Sequence, residues 1–439
     1  MKLKHLLPLL IFCIFFTSCK PVQNSKTKFI RVENGQFIRN GKPYYYIGTN
    51  YWYGAILGSP GKEGNRRRLL EELDLMKANG IDNLRVLAGA EGPDGEPRRV
   101  SPALQTAPGV YNNDLLEGLD YLLSEMAKRD MVAILFLNNA WEWSGGFSQY
   151  LNWADGSPIP YPETDGHTWG EFMTFSGTFH QCSECKEIFR NHIKYMLGRT
   201  NQITGVPYTE DPTIMTWELA NEPRAFSDAN KEPFLNWVNE TATYIKTLDH
   251  NHLVTTGTEG RWGCENDMEL FEKIHSSDDV DYLTMHIWPF NWSWLDPKDM
   301  AGTIDKAIEN TGKYMDEHLI VARKLNKPIV FEEFGLPRDG FGFSTASAVT
   351  LRDKYYDYSF SRVLESATKN ELLAGANFWA FSGIGKPSPD REKNMWKAGD
   401  DYLGDPPQEA QGLNSVFRDD PTVALVKDYN DKIIIVLNK

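Results

Sequence analysis

The chain reads as a (β/α)8 TIM barrel, an α/β fold, with an N-terminal β-hairpin in front of it. Three observations predict this. Eight short apolar runs alternate with amphipathic helical stretches through the body of the sequence. No Gly-rich phosphate fingerprint follows the first run, where a doubly wound open sheet would carry one. Polar and aromatic residues recur just past the C-terminal end of nearly every run, which is where such barrels keep their chemistry.

Asn34-Gly35 and Asn40-Gly41 flank Gln36 to Arg39. Asn-Gly supplies the positive φ that both central residues of a type I′ turn need, so a small β-meander opens the body. It ends in Tyr44 to Thr49, the first internal strand. Arg66 to Ala78 puts Leu69, Leu70, Leu73 and Met76 on one helical face and stops at Asn79-Gly80. Strand Ile81 to Leu87, helix Asn113 to Arg129 and strand Met131 to Leu137 follow. Then comes a long insertion, Asn138 to about Gly170, loaded with Trp, Gly, Pro and Asp. Helix Cys185 to Arg199 leads to the strand Pro212 to Thr216, and helix Glu232 to Leu248 to the strand His252 to Thr256. Helix Asp267 to His275 precedes Val280 to Met285, and helix Lys306 to Leu325 precedes Pro328 to Phe331. Helix Leu351 to Lys369 precedes Leu373 to Trp379, and Thr422 to Lys432 closes the chain. Residues 29–439 therefore read as one domain.

A net charge of −14 argues against nucleic acid or an anionic membrane surface as partner. Thirteen Trp are many for 439 residues. A large core would use some; those placed after strands suit the C–H faces of sugar rings. The N-terminus is basic, and Leu6 to Phe16 is an apolar run too short to span a bilayer but suited to an export signal. Thr17-Ser18-Cys19 resembles a bacterial lipobox. Residues 1–18 are then a lipoprotein-type signal, and residues 19–28 a lipidated Cys19 and tether. The protein is expected to be exported, anchored in the periplasm or at the cell surface through that lipid alone, and monomeric. Cys182-Ser183-Glu184-Cys185 is a lone CxxC without the further ligands zinc needs. An oxidising compartment predicts one disulfide among Cys182, Cys185 and Cys264, with one thiol left over.

The strand ends carry Trp52, Arg85, Asn138 and Asn139 with Trp141 and Trp143, Asn221-Glu222, Glu259, His286 with Trp288, Glu333, and Trp379. Two acids on separate strands are the minimum equipment for glycoside hydrolysis: one carboxyl protonates the leaving oxygen, the other attacks or activates water. Glu222, beside Asn221 and Arg224, suits the acid/base and Glu333 the nucleophile. Arg85 would hold the nucleophile ionised, and Asn221 would donate to the sugar 2-hydroxyl. Glu332 competes for the nucleophile role. Adjacent strand residues point to opposite faces, so only one of the two is expected in the site, and Glu333 is preferred as the later one. Glu218, within its strand, is expected to be a barrel-interior carboxyl.

These residues resemble glycoside hydrolase family 5 of the retaining clan A enzymes. Asn221-Glu222-Pro223 matches the family's acid/base strand and Glu333-Phe334-Gly335 its nucleophile strand. Gly48 to Trp52, Asp211 to Arg224, Asn138 to Trp141, His286 to Pro289 and Gly375 to Ala380 look like its endo-β-1,4-mannanase branch. The resemblance implies a retaining endo-β-1,4-mannanase acting on mannan, glucomannan or galactomannan without metal or other cofactor, its two carboxyl groups about 5–5.5 Å apart. It implies Arg85, Asn221 and His286 shaping the site and Trp379 beneath the sugar. The branch also points to Trp52, Asn138, Asn139, Trp141 and Trp288 as substrate-binding residues. One departure stands out: many members carry Tyr two residues after the His, and here that position is Trp288, whose N–H donates but cannot accept. Rival readings are an endo-β-1,4-glucanase or other β-glycanase of the same fold, and a lipid-anchored glycan-binding protein without catalysis.

Overall fold

The computed structural model describes residues 28–438 apart from 97, 163–165 and 388–394. The expected signal and Cys19 anchor, and the tether up to residue 27, lie outside the described residues. Eight parallel strands form the barrel: β1 Tyr46–Asn50, β2 Asn83–Leu87, β3 Val132–Phe136, β4 Ile214–Glu218, β5 Leu253–Thr255, β6 Leu283–Ile287, β7 Ile329–Phe334 and β8 Leu373–Phe378. The sheet runs β5-β4-β3-β2-β1-β8-β7-β6. Asp281 N–H donates to Val254 O (2.8 Å) and His286 N–H to Glu259 O (3.2 Å), bringing the two end strands together. Eight helices follow the strands in turn: α1 Arg66–Ala78, α2 Asn113–Lys128, α3 Ser183–Leu197, α4 Lys231–Leu248, α5 Met268–Ser276, α6 Met300–Leu325, α7 Thr350–Lys369 and α8 Pro421–Leu437.

Fourteen of the sixteen expected helix ends fall within two residues of those observed, and local chemistry explains why. The Asn65 side chain caps α1 and Asn112 caps α2; such short polar groups satisfy N–H donors that have no intrahelical partner. The same rule sets the largest difference from the expected bounds. Helix α6 begins at Met300, not Lys306, because Asp299 caps it by accepting from Gly302 N–H. The insertion after β3 is not structureless: it carries helices Gly146–Asp155 and Trp169–Gly177, the second with a full Thr168/Glu171 capping box. The segment after β8 carries two further short strands. Phe381–Gly383 pairs there with Val416–Phe417.

The opening meander has three antiparallel strands, Arg31–Glu33, Gln36–Arg39 and Lys42–Pro43. Both Asn-Gly turns adopt positive φ at both residues. The meander lies under the N-terminal ends of the barrel strands. Ile30, Phe37 and Tyr44 pack there with Tyr46, Val132, Met215, Leu253, Tyr282, Val330 and Ala374, an apolar plug separate from the main core. Further up, the barrel interior turns polar. The expected disulfide is Cys182–Cys185, and Cys264 is a free, buried thiol.

Candidate active site

Glu222 stands on a sharp corner after β4. Its φ is 49°, a left-handed conformation that a residue with a side chain seldom adopts. The corner is fixed from beside it: Glu222 N–H donates to Gly257 O (2.9 Å). Gly257 has φ 76°, and a Cβ there would come within 2.0 Å of Ala220 O and 2.2 Å of Glu218 Oε1. Pro223 then ends any strand geometry.

Glu333 is positioned by a bulge in β7. Met285 of β6 is in register with Phe331, but His286 is in register with Glu333, so Glu332 is the extra residue. Phe331 and Phe334 stack on each other at 4.1 Å, and Phe334 meets Tyr355, Tyr356 and Phe360 of α7 outside the barrel. Both glutamates between them face inward. This corrects the expectation that the adjacent pair point to opposite faces, although only Glu333 of the two lines the cleft. Glu332 lies lower, within 4.0 Å of Arg85 and 3.7 Å of His286, while Glu333 reaches the cleft.

A buried polar layer supports the two acids. The Arg85 guanidinium donates twice to Glu218 (2.6 and 2.9 Å), once to Glu333 Oε2 (2.7 Å), and to the side-chain oxygens of Asn50 (3.0 Å) and Asn221 (2.8 Å). Glu218 is thus an interior carboxyl, as expected. Trp288 Nε1 donates to Glu333 Oε1 (3.0 Å), so the indole that stands in place of the tyrosine still supplies a donor to this acid. Trp141 Nε1 donates to Glu222 Oε2 (2.5 Å), and His286 Nδ1 lies 2.9 Å from Glu222 Oε1. Burial pushes His286 down to about 4, so the imidazole is neutral.

Burial raises both acids, Glu222 against the pull of Arg224. Glu333 is raised well above the usual carboxyl range, by burial and then by the charge of Glu222. Two raised carboxyls this close disfavour the doubly ionised pair. One ligand atom each of Glu222, His286 and Glu333 lies within 4.8 Å of the others. That spacing would admit a metal ion, but a hydrogen bond between His286 and Glu222 and the Arg85 cation on Glu333 already satisfy these groups.

The cleft above them has a volume of about 830 Å³. Of the expected site residues, Glu222, Glu333, Asn221, Trp141, Trp288 and Trp379 line it. Trp379 lines it and is met edge-on by Trp143 (6.2 Å) and Trp288 (6.1 Å). Arg85 and His286 are fully buried just beneath, touching the acids and not the cleft. Three placements differ from expectation. Trp52 is buried behind Trp143, and its N–H is committed to Gly404 O (2.9 Å). Asn139 is also buried: its side chain accepts from Trp141 N–H and Asn221 Nδ2 and donates to Ser144. Asn138, buried beneath it, receives Asn221 N–H on its carbonyl (2.8 Å). These three hold up the cleft wall and do not form its surface.

The structure adds lining residues that were not singled out as binding groups: Trp143 and Trp169 from the insertion, Arg224, Glu259, Trp262 and Trp292, and Gln408 and Glu409 from the segment after β8. Trp143 and Glu259 were visible as strand-end residues. Gln408 and Glu409 carried no such signal, because they lie some thirty residues beyond the end of β8. Their placement comes from Asp405, whose carboxylate accepts from the N–H groups of Gly412, Asn414 and Ser415 and from the Ser415 hydroxyl.

Comparison with known proteins agrees with this geometry. A family model described as GH family 5 beta-mannosidase-like matches residues 27–438. Mannan endo-1,4-beta-mannosidase 1 of Oryza sativa subsp. japonica is 30% identical over 367 residues, 80% of this chain and 78% of that protein. A mutant of a glycoside hydrolase family 5 mannosidase from Rhizomucor miehei, solved in complex with mannosyl-fructose, is 36% identical. It covers 94% of this chain and 99% of its own, with a TM-score of 0.86. The endo-beta-1,4-mannanase from Thermotoga petrophila is 26% identical, covers 90% and 78%, and gives a TM-score of 0.63.

Proposed function

The chain belongs to glycoside hydrolase family 5 and is a glycoside hydrolase, and from that premise we propose that it cleaves internal β-1,4-mannosidic bonds of mannans by double displacement. The observation that carries the reading is the pairing of Glu222 with Glu333 across the floor of a Trp-lined cleft. Arg85 and Trp288 N–H converge on Glu333 and oppose its rise, so the reactive form of the pair has Glu333 ionised and the proton on Glu222. Glu333 then attacks the anomeric carbon as the glycosidic bond breaks, and Glu222 gives its proton to the departing oxygen. Glu222, now ionised, takes a proton from water, which attacks the same carbon and releases Glu333. The close approach of the two carboxylates, within 4.8 Å between one oxygen of each, supports retention over inversion, which needs about 6.5–9.5 Å to admit a water. Asn221 has its oxygen on Arg85 and one N–H on Asn139, leaving the other N–H for a sugar hydroxyl.

The test is product analysis on mannan, glucomannan and carboxymethylcellulose, with the anomer formed first read by NMR. Short β-configured manno-oligosaccharides are expected. Cleavage of the cellulose derivative with mannan untouched, or α-configured first products, overturns the reading. Glu333→Ala should lower turnover about 10³-fold or more. A second reading, release of single mannose units from chain ends, is favoured by the segment bearing Gln408 and Glu409, which walls one side of the cleft, and by the likeness to the Rhizomucor mannosidase. Free mannose as the sole early product from manno-oligosaccharides of graded length would establish it.

We also propose export and anchoring through a lipid on Cys19, with the barrel monomeric in water. The Cys182–Cys185 disulfide supports an oxidising compartment. Radiolabelled fatty acid should enter the wild type and not Cys19→Ala, and light scattering should give about one chain mass, near 50.1 kDa without the signal correction.

A further inference from the structure

One charged pair in the cleft wall is not used by the two-acid reading. Arg224, two residues past Glu222, donates Nε to Glu259 Oε2 and Nη2 to Glu259 Oε1 (2.6 Å). Glu259 is only 2% exposed, and its main-chain carbonyl is held by the Tyr314 hydroxyl (2.8 Å) and His286 N–H. The Arg224 guanidinium lies over the Trp141 ring at 5.0 Å, and that indole donates to Glu222. The order in space is Glu259, Arg224, Trp141, Glu222.

We propose that Glu259 is a positioning residue that keeps Glu222 competent as a proton donor: it neutralises Arg224 and holds that guanidinium on Trp141, so that the cation does not draw the proton off the acid. This rests on Glu222 being the acid/base. The charged and titratable groups around Glu222 are Arg85 of β2, Glu218 of β4, His286 of β6, Glu333 of β7, Glu409 from the segment after β8, and the Arg224–Glu259 pair; Glu265, Cys264 and Tyr314 stand near that pair. Arg85 is already bound by Glu218 and Glu333. Among the described residues Arg224 has Glu259 alone as its carboxylate hydrogen-bond partner, and it exerts the largest downward pull on Glu222. A carboxylate paired with it offsets that pull; a neutral residue in the same place does not. At the separations of neighbouring side chains and an effective dielectric of 20, losing one charge moves an acid by about one to two pH units.

The experiment is the pH profile of kcat/KM for Glu259→Gln, Arg224→Gln and the double variant, on mannotriose and on a dinitrophenyl β-manno-oligoside whose leaving group needs no proton. Glutamine fits the glutamate's space and still accepts from Arg224, and thermal unfolding checks that each variant is folded. Glu259→Gln should move the basic limb about one unit toward acid and slow mannotriose about tenfold at pH 7, with little change on the dinitrophenyl substrate. Arg224→Gln should move the limb the other way, and the double variant should return it toward wild type. An unmoved limb, or equal losses on both substrates, overturns the proposal and leaves the pair as a structural tie. Glu222→Ala with azide is the separate control. Azide rescue on the dinitrophenyl substrate upholds Glu222 as acid/base whatever Glu259 does. Its failure brings down that assignment first.

Discussion

The two ends of the barrel solve opposite problems with the same eight strands. At the N-terminal end, Phe37, Tyr44, Tyr46 and Tyr282 fill the opening, with Phe37 edge-on to Tyr282 at 5.1 Å, and the meander is tied down by Arg39 to Asp82 (2.6 Å). Burial of apolar area holds that end, and each residue there has a partner it can lose only at a cost in stability. At the C-terminal end the interior contains Arg85, Glu218, Glu332, His286 and the two acids, all nearly without solvent. A buried charge is costly unless paired, and here Arg85 pairs with Glu218 and Glu333. The lower end gives stability without chemistry. The upper end gives up stability for a pair of carboxyls that disfavours double ionisation.

Substitutions sharpen that contrast, and the largest effect is expected where charges are most interlocked. Arg85→Gln leaves Glu218 and Glu333 without their cation and should destabilise by about 3–5 kcal/mol, with activity lost as well; chemical denaturation and turnover measure the two. Phe37→Ala at the opposite end should cost about 3 kcal/mol and leave kcat and KM unchanged in the folded fraction. A change in KM there would show that the two ends are coupled. Trp288→Phe removes one N–H from a charged acceptor and keeps the ring beside Trp379. Turnover should fall about tenfold, with unfolding hardly altered.

The smallest effect is a pH effect at the upper end. Glu91 accepts from Gly146 N–H (3.0 Å) and the Tyr150 hydroxyl (3.2 Å) under the insertion that carries Trp141 and Trp143. Burial pushes it up to about 8. The folded carboxyl therefore keeps its proton where the unfolded chain has lost it. The stability it contributes is full below the unfolded value near 4.5, and is lost as pH rises through about 8. Glu91→Gln should match wild type at pH 5 and gain about 2 °C in Tm at pH 8. An equal difference at both pH values would mean that Glu91 is ionised in the folded state.

The strand–helix alternation, the Asn-Gly turns, most helix bounds and the two acids were legible because each rests on local chemistry: periodicity, φ preference, caps, and a carboxyl after a strand. Errors arose where distance in space, not in sequence, sets the outcome. Trp52 follows β1 as a substrate platform would, yet Gly404 and Trp143 bury it. The start of α6 at Met300, six residues before the periodic stretch from Lys306, is set by the Asp299 cap.

By itself the sequence determined the barrel, its closing meander, and Glu222 and Glu333 as the pair at the ends of β4 and β7. Period, turn chemistry and residue type are written along the chain, so they can be read without folding it. Only the tertiary structure decided that both Glu332 and Glu333 face inward, since a bulge is a matter of register between strands. It also decided that Glu259 stands against Arg224, and that Glu409 returns to the cleft from far beyond β8. Those are contacts between residues that no local pattern links, and packing alone brings them together.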